Sequence, residues 1–263
     1  MNTRERRLAS VLLASVLLPA VLLASALLVA GCAVTYPKTP PDGPKPTGSG
    51  PAISLSAALT TPNKVTLSWH GDDPDAAGRV VEFATDPTGQ YSVLQFVTTR
   101  QTTFIHPDLM PRTTFYYRVR PYYGPASAAV DVALPPGDVD DNAHQDNPDW
   151  AAPKVIPHAG VATHPIRARD AAGTPTDLHA TVMDANGISF AWTDHASDEE
   201  GYLIEVKPAG SADFSPVAVL DPDINSYGLV TLPTEKRASY RVRAFYYRRS
   251  SNIAHQTTGQ DAG

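Results

Sequence analysis

Apolar and polar positions along the chain follow two different rhythms. Leu8 to Ala30 is an almost unbroken run of Leu, Val, Ala and Ser, interrupted only by Pro19. Beyond it, apolar residues fall on alternate positions: Val65, Leu67 and Trp69, then Val81 and Phe83, then Phe115, Tyr117 and Val119. The same alternation returns in Ile188, Phe190 and Trp192, in Tyr202, Ile204 and Val206, and in Ala238, Tyr240 and Val242. A period of two predicts strands that bury one face. Short strands of this kind, separated by turns rich in Pro, Gly and Asp, predict an all-β sandwich architecture.

The two sets of strands share one register. Trp69 and Trp192 lie 123 positions apart, as do Arg118-Val119-Arg120 and Arg241-Val242-Arg243. The same offset pairs Leu55 with Leu178, Gly78 with Gly201, Glu82 with Glu205, Tyr91 with Phe214, Phe104 with Tyr227 and Leu109 with Leu232. So many matches in one register indicate an internal repeat.

Each copy resembles a fibronectin type III domain. The second copy carries the resemblance in Trp192-Thr193-Asp194, Glu200 to Glu205, Leu232 and Tyr240 to Ala244. The first carries it in Trp69, Val81-Glu82-Phe83, Leu109 to Thr113 and Tyr117 to Arg120. The resemblance implies two tandem immunoglobulin-like sandwiches over residues 51–134 and 174–256, joined by an acidic, proline-containing linker at 135–173 and followed by a tail at 257–263. Both copies depart from the family at the position of its corner tyrosine. Phe115 and Ala238 stand there, so the corner hydrogen bond should be missing, with less filled volume beneath Ala238.

The N-terminal run has a charged start, with Arg4, Arg6 and Arg7 against Glu5, and reads as a secretory signal. Its end, Leu28-Val29-Ala30-Gly31-Cys32, resembles a bacterial lipobox. That resemblance implies cleavage after residue 31 and lipid on Cys32, the single cysteine of the chain. An uncleaved anchor is the alternative, because 23 apolar residues at about 1.5 Å each could span a bilayer core. Either way the rest of the chain is tethered outside the cytoplasm. Residues 32–50 hold five prolines, three glycines and one serine, a composition that forms an extended stalk.

Charge and composition narrow the chemistry. The chain of 263 residues carries a formal charge of -6, which argues against generic nucleic-acid binding. Loss of residues 1–31 would leave 18 basic against 26 acidic residues, so lipid rather than basic charge must hold the protein to a membrane. A lone cysteine excludes intramolecular disulfides and thiolate-rich metal sites. There is no nucleophile elbow, phosphate-cradling glycine loop or helical histidine pair, and no cofactor is expected. His195 beside Asp198, Glu199 and Glu200 has the residue types for acid/base chemistry, but reads as a polar loop.

Three groups remain as candidates for binding. Tyr122 and Tyr123, with Tyr246, Tyr247, Arg248 and Arg249, stand where a loop should follow the Arg-Val-Arg strand. Loop aromatics beside arginine suit a protein hot spot or stacking on sugars, although plain packing at a domain tip is the simpler reading. Arg118, Arg120, Arg241 and Arg243, with Glu82 and Glu205, should face solvent opposite the core. Asp138, Asp140, Asn142, Asp146 and Asp149 have an oxygen-ligand spacing suited to calcium, although Ala143 replaces the glycine such a loop favours. A solvated linker is the simpler reading. His144, His158 and His164 are irregularly spaced for a metal. The expected function is therefore non-enzymatic binding or display by a surface-anchored lipoprotein through protein or cell-envelope contacts. An accessory carbohydrate-binding or spacer role in extracellular polysaccharide degradation is the alternative.

Overall fold

Alternating apolar residues become strands at nearly every position where the sequence shows them. The computed structural model describes residues 53–71, 73–137, 148–157, 159–168, 171–232 and 235–259. The apolar run and Cys32 lie outside these residues. So do Asp138, Asp140, Asn142, Asp146, His144 and His158. Among the described residues no helix is long and apolar enough to cross a membrane.

The first copy supplies β1 (Ser54–Thr61), β2 (Lys64–His70), β3 (Gly78–Ala84), β4 (Ser92–Val97), β5 (Thr103–His106), β6 (Thr114–Tyr123) and β7 (Val130–Ala133). The second supplies β8 (Thr176–Val182), β9 (Gly187–Thr193), β10 (Gly201–Pro208), β11 (Ser215–Leu220), β12 (Ser226–Val230), β13 (Arg237–Tyr247) and β14 (Ala254–Thr257). Strands β1, β2 and β5 form one small sheet, and β8, β9 and β12 form its counterpart. The remaining strands make one continuous sheet in the order β11-β10-β13-β6-β3-β4, with β14 and β7 attached to β6 and β13.

Each small sheet covers one half of the large one. In the first half Val65, Leu67 and Trp69 pack with Val81, Phe115, Tyr117 and Val119. In the second Ile188, Phe190 and Trp192 pack with Tyr202, Ile204, Tyr240 and Val242. Full burial of each such aliphatic side chain contributes about 1.5–3 kcal/mol. The architecture is all-β, with two immunoglobulin-like sandwiches. Phe115 and Ala238, which stand at the corner positions, are both buried. Ala238 also borders an open surface cleft of about 480 Å³ with Val132 and Pro208. Leu109, in the loop between β5 and β6, enters the first core, whereas its counterpart Leu232 is exposed.

The last strand of each copy does not return to its own sandwich. Strand β7 pairs with β13, through Val130↔Tyr240 and Ala133↔Arg237. Strand β14 pairs with β6, through Ala254↔Tyr117 and Thr257↔Thr114. The exchange is reciprocal. Where the strands cross, β6 and β13 pair directly through Tyr123↔Tyr246 and Tyr122↔Tyr247. Ser127 holds Val242 by two bonds, its N–H donating to the Val242 carbonyl at 2.8 Å and its Oγ accepting from the Val242 N–H at 3.1 Å. Ser251 holds Val119 in the same way, at 2.8 and 2.9 Å. Gly124 allows the crossing because its φ is +128° and an added Cβ would collide with the Ala244 carbonyl oxygen; a side chain there would be strained on both counts.

The large sheet then curls until its outer strands, β4 and β11, meet. Arg100 and Asp213 form an ion pair across this meeting at 2.8 Å. The curled face encloses a third core of Val80, Phe96, Tyr122, Leu203 and Phe245. This corrects the expectation of a solvent-facing charged strip. Glu82 and Glu205 are each 2% exposed, and Arg120 and Arg243 are 3% and 8% exposed. Alternation assigns them to the face opposite each sandwich core, but the other copy covers that face.

The described parts of 135–173 also differ from a solvated linker. Trp150 packs closely against Gly187 and Gly228. Lys154 bridges to Ser226, and His164 to Ala196. Ile166 is buried in the second core, and its N–H donates to Asp198 Oδ1 at 2.6 Å. Two apolar anchors in a polar segment suffice to fold it onto the second sandwich.

Candidate functional site

The aromatic residues following Arg-Val-Arg are strand residues rather than the start of a loop. Tyr122 and Tyr123 end β6, and Tyr246 and Tyr247 end β13. Because β6 and β13 pair at those ends, the two clusters meet at the crossing. Tyr122 is 1% exposed and lies over Gly78, where any Cβ would overlap its ring and hydroxyl. Its ring packs edge-on against Phe245 at 6.2 Å. Burial pushes its hydroxyl above the usual phenol range. Tyr247 is partly buried, with the Arg120 guanidinium 4.6 Å from its ring centre.

Tyr123 and Tyr246, 5% and 4% exposed, lie on the other side of the crossing. Their rings stack with centroids 5.6 Å apart and planes 25° apart. Arg248 lies over Tyr123 at 4.3 Å and donates from Nη2 to the Tyr246 hydroxyl at 3.2 Å. Arg167 lies over Tyr246 at 4.9 Å. The Tyr123 hydroxyl donates to Asp73, and burial raises its pKa above the ordinary phenol value, with the Asp73 bond acting in the same direction. Together with Pro125, Ile166 and Thr174, the two tyrosines and Arg248 line a cleft of about 380 Å³. Arg249 is exposed just beyond it.

The cleft exists only where the copies cross. Neither copy alone supplies Tyr123, Tyr246 and Arg248, and Ile166 comes from the segment between the copies. Chemically it offers tyrosine edges, one hydroxyl-bound guanidinium and an apolar floor. Ring faces that a sugar would stack on are occupied by arginine or by the partner tyrosine.

On the strands leading to the crossing, two buried carboxylates hold the arginines of the repeat. Glu82 Oε2 accepts from Arg118 Nε at 2.6 Å, with Arg120 Nε at 3.8 Å. Glu205 accepts from Arg241 Nε at 2.5 Å and from Arg243 at 3.0 and 3.2 Å, while Arg243 Nη1 reaches the Gly124 carbonyl at 2.6 Å. Arg243 therefore ties its own buried carboxylate to the crossing strand of the other copy.

The acids beside His195 hold neighbouring segments. Glu200 accepts from Arg167 at 2.6 Å and from the Tyr247 N–H at 3.3 Å. His195 contacts Thr176 Oγ1 at 2.9 Å and the Ala162 carbonyl at 3.3 Å. Of the linker calcium candidates only Asp149 is among the described residues, exposed in the short 3-10 turn Pro148–Trp150.

No family model matches the sequence. No curated protein matches it either. Similar solved structures include the pectate lyase Pel3 of Pectobacterium carotovorum, with 20% identity over 28% of this chain and 23% of that one, at a TM-score of 0.26. The pectate lyase PelI of Erwinia chrysanthemi, solved with tetragalacturonic acid, gives 17% identity over 27% and 23% of the two chains at 0.26. A Fn3-like protein of Clostridium thermocellum gives 28% identity over 28% of this chain and 77% of that one at 0.24. The chain spans only about a quarter of the length of the two lyases.

Proposed function

We propose that the chain is a non-enzymatic, lipid-anchored binding protein of the bacterial cell surface, whose two exchanged copies present one rigid module to a protein of the cell envelope. The crossing cleft is the observation that carries this reading. It is built jointly by both copies, it sets Arg248 over a buried tyrosine pair, residue types that dominate protein hot spots, and the ring stack and the Tyr246 hydroxyl hold that arginine in place, which limits the ordering cost of binding. The lipobox-like end of the apolar run supplies the anchor on Cys32, and the Pro/Gly segment after it supplies the stalk.

Crosslinking in intact cells tests the reading. A photoreactive group at Arg249, which borders the cleft, should capture one discrete protein, and Arg248→Ala should abolish that capture while leaving the folded protein in the envelope. Capture unchanged by Arg248→Ala would place the contact elsewhere. Retention on purified polysaccharide that depends on Arg248 would replace a protein partner with a glycan. Metabolic labelling with a fatty acid tests the anchor separately, since Cys32→Ala should carry no label.

A further inference from the structure

Three carboxylates converge at one end of the second sandwich, outside the crossing cleft. Asp194 follows β9, Glu199 precedes β10, and Asp223 lies in the turn between β11 and β12. Each offers a carboxylate oxygen within 4.8 Å of the others. That spread fits inside the roughly 5 Å separating two oxygens on opposite sides of a calcium ion, whose bonds are about 2.3–2.6 Å.

Glu199 is the second observation. Its side chain belongs to a residue only 9% exposed. Oε1 accepts from the Asp223 N–H at 3.2 Å, while Oε2 is shut off from solvent and has no hydrogen-bond partner. A buried carboxylate oxygen normally finds a donor, and the Glu199 carboxylate has two further carboxylates within reach. Among the described residues no lysine, arginine or histidine forms an ion pair with any of the three. Burial pushes the Glu199 carboxyl above its ordinary range, and the charges of Asp194 and Asp223 add to the rise. The neighbouring His195 is already engaged through both ring nitrogens.

The repeat shows that the fold does not require these acids. At the same offset of 123, Asp194, Glu199 and Asp223 correspond to Gly71, Ala76 and Arg100 in the first copy. Ala76 is buried there without any polar group to satisfy. The first copy's loop carries Asp73 and Asp75 but no acid at these three positions, so the convergence belongs to the second copy, at an energetic cost that a cation would offset.

We propose that Asp194, Glu199 and Asp223 form a binding site for one divalent cation, with calcium preferred. An all-oxygen, carboxylate set with no imidazole or thiolate selects a hard cation. The partly exposed Asp194 and exposed Asp223 leave a route for the ion and for water ligands. Magnesium, with bonds of about 2.0–2.1 Å and stricter octahedral demands, fits such a spread less well. The Tyr202 hydroxyl and the Ala196 N–H both donate to Asp194 Oδ1, which holds that carboxylate in place before the ion arrives.

The bound ion would fasten two loops that grip the segment between the copies. The loop after β9 carries His195, Asp198 and Glu200, which bind Ala162, Ile166 and Arg167. The turn after β11 runs into Asn225, whose side chain accepts from the Ile156 N–H at 2.6 Å and donates to the Ile156 carbonyl at 2.8 Å. Cation occupancy should therefore rigidify residues 154–167 as well as its own loops.

Calorimetric titration of calcium chloride into the chelator-stripped full-length protein, held in detergent, tests the site. One saturable site is expected, with magnesium binding at least about tenfold more weakly, and with a rise in melting temperature on calcium addition. Glu199→Gln, which keeps shape and removes charge, should abolish both effects, and Asp223→Asn on the exposed turn should weaken binding at least about tenfold while folding normally. A double variant at Asp138 and Asp140 should bind calcium like the parent. The proposal is overturned if the folded parent shows no saturable calcium binding, if Glu199→Gln binds as the parent does, or if only the Asp138/Asp140 variant loses the site.

Discussion

At the residue scale, burial rather than side-chain type decides what each charged group does. Glu205 is enclosed with two arginines, Arg243 being 10% and Arg241 27% exposed at the side chain. Glu205→Gln keeps the volume and removes the charge that both guanidiniums share. Stability to urea should fall by about 3 kcal/mol, the lower end for breaking a buried pair, because Arg241 can still reach water. Adding Arg243→Met should restore much of that loss, since no buried cation then remains unpaired. A double variant no more stable than Glu205→Gln alone would show that the pair is not the source. Glu199 behaves oppositely. Its folded carboxyl holds its proton to higher pH than the ordinary value of 4.5, so at acid pH both states are protonated and nothing is lost. As pH rises through that ordinary value the unfolded chain releases its proton first, and folding weakens until the raised value is passed. The carboxylates of Asp194 and Asp223 face the group and add to the rise. In chelator, Glu199→Gln should therefore match the parent at acid pH and exceed it at neutral pH. Parallel denaturation curves at both pH values would contradict this. The sequence showed His195 amid acids but not this trio, because Asp223 joins it only through the pairing of β12 beside β9.

At the element scale, period two told which residues share a face but not what covers that face. Val119 and Val242 point into their cores as the alternation requires. Their arginine neighbours do point the other way, yet the curled sheet turns that side inward. The exchange of β7 and β14 was equally invisible. Val-Asp-Val-Ala and Ala-His-Gln-Thr are too short and mixed to name a partner, and a last strand ordinarily returns beside its own neighbour. The exchange makes a directional prediction for truncation. Ending the chain after Asn252 removes β14, which should strip hydrogen-exchange protection from the β6 amides of Thr114 to Tyr117 in the first copy. The β13 amides of Arg237 to Tyr240, held by β7, should keep theirs. Protection lost from β13 instead would mean that each copy keeps its own final strand.

At the scale of the whole molecule, reciprocal exchange makes the peptide link between the copies redundant. Each sandwich is completed by a strand lying on the far side of residues 138–147: β7 precedes them and sits in the second, β14 follows them and sits in the first. The Ser127 and Ser251 bonds, the Tyr123 and Tyr246 stack, and the third core add contacts that do not depend on the connection. Two sandwiches joined only by a linker would part when it is cut, and would melt independently. Here a protease site inserted between Asn142 and Ala143, once cleaved, should yield two fragments that co-elute in gel filtration at the mass of the uncut chain. Thermal unfolding of the uncut protein should be a single transition, which a core substitution in the first copy such as Val65→Ala shifts as a whole. Because strand exchange, buried charge and the crossing cleft all depend on both copies being folded together, separation of the cleaved fragments would remove the structural basis for a joint binding surface, whatever partner it was found to hold.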